Sequence, residues 1–358
     1  MKGLVTAGGH GTRLRPITYT QNKHLIPIAN KTMLQYAIDY LKDAEIYEIG
    51  IIVNANDTSI KDVFGNGKGF GVEITYIEQN QPLGLAHVVK ISQDFIGDDD
   101  FIFYLGDNIL VGGVKSFIND FKRMKSNCHL VLSQVSDPNR FGVAEVINDR
   151  IVSIQEKPKT PKSNFAVTGI YLYDSNIFEA VNSINPSKRG ELEISDAHQF
   201  LIENSYDVSY SEITGWWKDT GQPSDLLDAN HLVLDNIKAR NNGAVDSLSK
   251  IIGEVSISKN CQVINSIIKG PAIIGNNTII MDSYIGPFSS IGENCIIKNT
   301  KIESSIIMEE CELENVDRKI KYSLLGKNVK IISSSYDNNN NNNARFLLGD
   351  QSYIELID

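Results

Sequence analysis

A short apolar run at the chain start leads into Gly8-Gly9-His10-Gly11-Thr12-Arg13-Leu14-Arg15. Three glycines and two arginines directly after a strand-like run point to phosphate. Glycine lets backbone N–H groups close on an anion, and arginine offers it a planar fork. A Walker A loop does not fit, because it ends in Gly-Lys-Ser/Thr and this stretch has Gly11-Thr12-Arg13. A dinucleotide fingerprint needs a further glycine and an acid about 20 residues on. Leu14 stands at that glycine position, and no acid lies at that distance. The remaining reading is a cradle for a nucleoside triphosphate that is attacked at its α-phosphorus. Ala7, Gly8, Gly9, Gly11 and Thr12 would turn the backbone around the phosphate oxygens, and Arg13 would face the departing pyrophosphate. The competing reading is a surface turn with solvated arginines, which the length of the Gly-Gly-x-Gly-Thr-Arg-Leu pattern disfavours.

Such a loop needs a sheet to present it. Residues 4–7, 49–53, 72–77, Phe101–Leu105 and 130–135 form short apolar runs, and 33–43, 85–95 and 114–125 between them suit helices. The alternation predicts an α/β domain with a mainly parallel sheet up to about residue 235. In such sheets ligands bind beyond the carboxyl ends of the strands. That rule selects 8–13 after the first run and Gly106-Asp107-Asn108 after Phe101–Leu105. After residue 250 the rhythm changes. Val255, Cys261, Ile267, Ile273, Ile279, Ile285, Ile291 and Ile297 are spaced six apart. This predicts a parallel β-helix whose coils stack these positions into one column. The expected organisation is a catalytic domain over 1–238, a linker over 239–250 and a β-helix over 251–358. A flexible asparagine-rich loop is expected near 337–343, and a terminal strand or helix after it should dock on the coils.

Nine segments carry a resemblance in collinear order: GGHGTRLRPIT from Gly8, NKHLIPI from Asn22, QNQPLGLAH from Gln79, LGDN from Leu105, FGVAEV from Phe141, EKPK from Glu156, AVTGIYLYD from Ala166, RGELEISD from Arg189 and WWKDTG from Trp216. The chain resembles the sugar nucleotidyltransferases, and among them the long-form glucose-1-phosphate thymidylyltransferases. The resemblance implies a Rossmann-like nucleotidyltransferase domain with a mixed, mainly parallel sheet, followed by a left-handed parallel β-helix. It also implies a reaction in which glucose 1-phosphate attacks dTTP, or UTP, and pyrophosphate leaves. The nucleophile is already a phosphate oxygen, so no general base is required. The obstacle is the approach of two polyanions, which calls for positioning and for neutralisation by Mg²⁺, Lys and Arg.

By the same resemblance, Asp107 and Asp219 hold Mg²⁺, and Lys23 binds the triphosphate and supports the α-phosphorus. Lys157 takes the phosphate of the sugar phosphate, and Glu156 accepts hydrogen bonds from sugar hydroxyls. Gln79 reads the base, since an amide matches the N3–H and O4 edge of thymine or uracil, and Gly84 lets the base approach the backbone. Gly142, Val167, Tyr171 and Glu193 border the sugar. Without the resemblance, ELEISD reads as the charged approach to a helix capped by Ser195. His24 stands where shorter members carry glutamine, and Lys31-Thr32 replaces a lysine-proline pair. The alternatives are a uridylyltransferase, another sugar-1-phosphate nucleotidyltransferase, or an inactive regulatory subunit that binds sugar nucleotide. The joint presence of Arg13, Lys23, Asp107, Lys157 and Asp219 favours an enzyme.

Bulk properties narrow the partners. A net charge of −10 and a pI near 5.2 argue against nucleic acid and anionic membranes. Cys128, Cys261, Cys295 and Cys311 form no C-x-x-C pair, as expected for buried thiols in a reduced cytosol. No signal peptide and no membrane-length apolar run is recognisable, so a cytoplasmic protein is expected. His10, His24, His87, His129, His198 and His231 all lie outside the coils, which argues against a histidine-based acetyl transfer there. The coils are expected to serve support or self-association, giving a homo-oligomer.

Overall fold

The first apolar run becomes the strand Lys2–Thr6, with its three central residues buried. In the computed structural model, which describes residues 1–333 and 343–356, this strand pairs in parallel with both Glu48–Asn54 and Phe101–Leu105. Glu73–Gln79 extends the parallel set beyond Glu48–Asn54. On the far side of Phe101–Leu105 the pairing reverses: Phe165–Tyr173 runs antiparallel to it and to Cys128–Gln134 and Gly142–Ile147. Arg150–Glu156 and Val208–Glu212 complete a mixed nine-stranded sheet of Rossmann-like build. The helix Met33–Asp43 buries Leu34, Ala37, Ile38 and Leu41, the spacing of one apolar helix face. Phe101, Phe103, Tyr171 and Tyr173 are buried in the sheet, with ring centroids 5.3 Å apart for Phe101–Tyr173 and 5.5 Å for Phe103–Tyr171.

Contacts group the chain into two units. Met1–Gly9 joins Met33–Asp219, and His10–Thr32 joins Thr220–Asp358. The grouping does not follow the expected boundary at 238. The loop 10–32 and the helix Pro223–Leu234 belong with the coils, because their side chains bond to coil backbone.

The coils form three stacks of parallel strands, the arrangement of a left-handed β-helix. Gln262 pairs with Ile279 and Ile279 with Ile296, so a turn here takes 17 residues. The inward positions are Ile257, Val263, Ile268, Ile274, Ile280, Ile285, Ile291, Ile297 and Ile302, all buried. They are spaced six, five and six in rotation. This corrects the single six-spaced column. Val255, Cys261, Ile285, Ile291 and Ile297 are buried in the coil core, but Ile267 is 39% exposed, and Ile273 and Ile279 are half-buried. The side from Val263 to Ile268 is one residue short, so the register rotates out of a strict six. Corners are turned by residues at positive φ, among them Asn260, Asn277 and Asn294 at φ 59, 57 and 56. Asparagine tolerates this conformation. Their amides also form a ladder, with Asn260 donating to Asn277 at 3.1 Å and Asn277 to Asn294 at 3.0 Å.

The stretch 239–250, expected as a linker, already belongs to the coils. Arg240–Asn241, Ala244–Val245 and Lys250–Ile252 each pair with a strand of the next turn. Its short strands carry no long apolar run, so composition alone reads as a break. The asparagine-rich loop near 337–343 lies outside the described residues except for Asn343, which pairs with Lys319. The end of the chain docks as strands, Leu347–Leu348 and Tyr353–Leu356. Among the described residues, no helix is long and apolar enough to cross a membrane.

Candidate active site

The register of the central strands sets Thr6 beside Leu105, so Ala7, Gly8 and Gly9 emerge next to Gly106 and Asp107. The Gly106 N–H donates to the Thr6 carbonyl at 3.1 Å and locks these two strand ends together. Asp107 Oδ1 accepts from Asn108 Nδ2 at 2.9 Å. Asn108 is buried, its carbonyl accepts from the Tyr104 hydroxyl at 2.6 Å, and its Oδ1 accepts from Trp217 Nε1. Trp217–Asp219 runs antiparallel to Asn108–Leu110, with Asp219 opposite Asn108. Asp107 and Asp219, 112 positions apart in sequence, are thereby brought within one register step. Burial raises the pKa of the Tyr171 hydroxyl, and Glu156, Asp107 and Asp219 push it further up. All three carboxylates therefore lie within electrostatic reach of one buried phenol. A pair of carboxylates with only oxygen donors suits Mg²⁺, which binds one or two carboxylates and completes its shell with water and phosphate oxygens. Among the described residues no larger cluster of metal-binding side chains occurs.

Three of the predicted sugar residues meet in one row, where Gly142 pairs with both Glu156 and Val167; Tyr171 pairs with Phe103 and Leu130 further along its strand. A Cβ at Gly142 would lie 2.9 Å from Ser195 Oγ and 3.4 Å from Glu156 Oε2. The Ser195 hydroxyl donates to Glu156 Oε2 at 2.7 Å. Ser195 is not the cap of its helix. The helix Ile194–Glu203 is capped at Glu193, and Ser195 in its first turn directs its hydroxyl to Glu156. Lys157, at φ +42, sits with Nζ 3.3 Å from Glu156 Oε1. The side chain of Glu193 is 8% exposed. Its carboxylate accepts from Arg189 Nε at 3.1 Å, from an Arg189 terminal nitrogen at 2.8 Å, and from Ser187 Oγ at 2.7 Å. Arg189 also stands 3.6 Å from Glu156. Glu193 is thus held as the partner of Arg189, which also reaches Glu156.

Gln79 ends its strand with Nε2 3.0 Å from His87 Nδ1. Burial, and then the charge of Lys90, lowers the His87 pKa and keeps the ring neutral. A neutral ring accepts one amide hydrogen and leaves the other, together with Oε1, for a ligand. Gly84 has φ +100, and a Cβ there would lie 2.4 Å from the Leu192 carbonyl oxygen. The Leu192 N–H donates to Leu83 O at 2.7 Å, and the Ala86 N–H to Leu192 O at 3.1 Å. The loop after Gln79 and the loop before Glu193 are thus stitched together by backbone, and this close approach by itself requires Gly84 to lack a side chain.

The other unit carries the remaining cations. Gly11, at φ +58, caps the short helix Thr12–Leu14, and its carbonyl accepts from Thr18 Oγ1 at 2.7 Å. A Cβ at Gly11 would lie 3.0 Å from the Cβ of Lys23, so the glycine admits the stem of that lysine. Lys23 and His24 are buried, and Asn22 Oδ1 accepts from the His24 N–H at 2.9 Å and bonds to its Nδ1 at 3.0 Å. Arg13 lies against Gly221, where a Cβ would be 3.1 Å from each terminal guanidinium nitrogen. Gly221 follows Asp219 by two residues in the WWKDTG segment. Sequence reasoning assigns no site role to Asn108, Ser195, Arg189, His87 or Gly221, although each lies inside a quoted segment.

A family model described as nucleotidyl transferase matches residues 2–236, and the chain belongs to that family. The likeness runs on into the coils. A Streptomyces antibioticus protein named glucose-1-phosphate thymidylyltransferase is 46% identical over 359 residues, with 99% of each chain covered. A Haloferax volcanii protein named low-salt glycan biosynthesis nucleotidyltransferase Agl11 is 39% identical, covering 99% of this chain and all of its own. Among solved structures, a Bacillus anthracis protein described as a glucose-1-phosphate thymidylyltransferase in complex with a sucrose superposes with a TM-score of 0.63 at 40% identity. The match covers 67% of this chain and 98% of that one.

Proposed function

We propose that the chain is a Mg²⁺-dependent glucose-1-phosphate thymidylyltransferase, which converts dTTP and glucose 1-phosphate to dTDP-glucose and pyrophosphate. The observation that carries the transfer chemistry is the strand pairing that sets Asp219 opposite Asn108, beside Asp107. The full-length likeness to a thymidylyltransferase supports the substrate pair.

In this reading an oxygen of the sugar phosphate forms a bond to the α-phosphorus. The bond from that phosphorus to the β-phosphate oxygen breaks, and pyrophosphate leaves with the electron pair. No proton has to move. Held by Asp107 and Asp219, Mg²⁺ would neutralise phosphate charge. Lys157 neutralises the sugar phosphate, and Glu156, oriented by Ser195, accepts from sugar hydroxyls. Gln79 accepts the base N3–H at Oε1 and donates to O4 with the hydrogen that His87 does not take. Arg13 receives the pyrophosphate, Lys23 supports the α-phosphorus, and the backbone of the Gly8–Thr12 segment lies along the phosphates. Positioning and charge neutralisation are all that such a reaction asks of the protein.

The test is pyrophosphate release by the purified chain with glucose 1-phosphate, Mg²⁺ and each of dTTP, UTP, ATP and GTP. The proposal expects the highest kcat/KM with dTTP. Absence of release with every nucleotide would end the enzymatic reading, and preference for UTP would replace it with the uridylyl one. Thymine and uracil differ by one methyl, worth a factor of about 10–200 in a fitted pocket.

A further inference from the structure

The segment 10–32, which carries Arg13 and Lys23, has little structure of its own. It contains three short 3₁₀ turns and two strands of two residues, Pro27–Ile28 and Lys31–Thr32. It is held instead by successive turns of the β-helix. The Ala29 N–H donates to Asn230 Oδ1 at 2.8 Å, and the same oxygen accepts from Ser290 Oγ at 2.6 Å. The other end of that buried amide donates to the Phe288 carbonyl at 3.2 Å. Asn30 Nδ2 donates to the Ile291 carbonyl at 2.6 Å. One turn further along, Gln21 Nε2 approaches Met308 Sδ at 3.2 Å. On the last turns, Asp350 accepts from Thr20 Oγ1 at 2.7 Å with one oxygen and from the Lys327 N–H at 2.9 Å with the other. A Cβ at Gly349 would lie 3.1 Å from the Pro16 carbonyl oxygen. Ala29 and Asn30 both have positive φ, 46 and 60. Such conformations persist where surrounding structure over-determines them, and here the surroundings are Asn230 and the coil Ser289–Ile291.

We propose that the β-helix, together with the helix Pro223–Leu234 bonded to it, positions the triphosphate-handling loop, with Asn230 and Asp350 as the positioning residues, so that residues outside the loop set the affinity for the nucleoside triphosphate. This rests on the reading under Proposed function. A loop released from its tethers must be ordered again each time a triphosphate binds. That cost falls on triphosphate affinity, whereas Glu156 and Lys157 do not belong to the loop. A purely stabilising β-helix makes a different prediction: its weakening lowers the active fraction, hence apparent kcat, and leaves both KM values alone.

Full-length Asn230→Leu, Asp350→Ala and Asp350→Asn are compared with wild type by KM for dTTP, KM for glucose 1-phosphate, and the rate of trypsin cleavage after Arg13 and Lys23. The expected result is a KM for dTTP raised about tenfold by Asn230→Leu and about fivefold by Asp350→Ala, the worth of about one lost hydrogen bond each. The KM for glucose 1-phosphate stays within about twofold, and loop cleavage accelerates. Asp350→Asn, which keeps an acceptor, restores the dTTP value. If Asn230→Leu does not fold, the two variants at half-buried Asp350 carry the test. Variants with wild-type KM for dTTP and wild-type cleavage rates overturn the proposal. A wild-type chain without transfer overturns the functional reading instead, and the cleavage rates still judge the tethers.

Discussion

Replacing Gly84 by alanine tests whether the base-side and sugar-side loops are one structure. Its φ of +100 and ψ of 172 lie in a region held almost only by glycine, and a Cβ there costs about 1–3 kcal/mol in backbone strain. The new atom would also stand 2.4 Å from the Leu192 carbonyl oxygen, 2.9 Å from its nitrogen and 3.0 Å from its carbonyl carbon. These are backbone atoms, so no side-chain rotation relieves the contact. The loop must withdraw by about 1 Å to reach ordinary van der Waals distance. The hydrogen bonds from Leu192 N to Leu83 O and from Ala86 N to Leu192 O are then lost, each worth about 1 kcal/mol net. The combined loss is about 3–5 kcal/mol, or a fall in Tm on the order of 10 °C for a unit of this size. Thermal unfolding reads the stability, and steady-state kinetics reads the site. Because Gln79 begins one loop and Glu193 ends the other, the KM values for dTTP and glucose 1-phosphate should both rise, by about tenfold or more. A Gly84→Ala chain with Tm within about 2 °C of wild type and unchanged KM values would refute the reasoning.

Asp107→Asn keeps an oxygen for Asn108 and removes the charge. It should lower kcat by about 10²–10³-fold, in the range of a lost electrostatic contact to the transition state, while circular dichroism melting shows Tm nearly unchanged. Arg189→Ala strips Glu193 of its charged partner and leaves Ser187, so the KM for glucose 1-phosphate should rise about tenfold in initial-rate assays with kcat less affected, equal to about 1.4 kcal/mol. Burial lowers the His129 pKa from 6.5 to about 4, and the neutral ring is held by Ser209 and Ser211 at 2.7 and 3.0 Å. The unfolded chain takes up this proton near pH 6.5 and the folded chain only near 4. The stabilising contribution is therefore complete above pH 6.5 and shrinks on acidification towards pH 4, by about 3 kcal/mol in all. Urea unfolding at a series of pH values should show a smaller acid loss for His129→Gln than for wild type.

What the sequence disclosed depended on how local each signal is. The strand at 4–7 and the run Phe101–Leu105 are apolar and bounded by glycine. The rule that ligands lie beyond strand ends therefore selects Gly8 and Asp107, which the sheet register sets side by side. Asp219 was reachable only through its motif, since nothing local tells a strand-end aspartate from a turn aspartate. The glutamate-arginine and serine-glutamate contacts at Glu193 and Glu156 leave no periodic trace. Ser195 accordingly reads as a cap in the sequence, whereas its hydroxyl donates to Glu156, 39 residues back along the chain. The coils were visible as a β-branched repeat. The shortened side between Val263 and Ile268 was not, because apolar residues also occupy outward positions such as Ile267 and a strict six could be threaded through both sets. The tethering of 10–32 joins residues as far apart as Thr20 and Asp350, a distance at which a single sequence carries no pairing signal.

The central claim is that an oxygen of the sugar phosphate, and not water, ends up bonded to the α-phosphorus of the nucleotide. Glucose 1-phosphate labelled with ¹⁸O at its non-bridging phosphate oxygens is incubated with dTTP, Mg²⁺ and the chain, and the products are resolved by mass. The account predicts that every labelled oxygen is retained in dTDP-glucose and that the pyrophosphate is unlabelled. Label in the pyrophosphate, or dTMP released without dTDP-glucose, would contradict it.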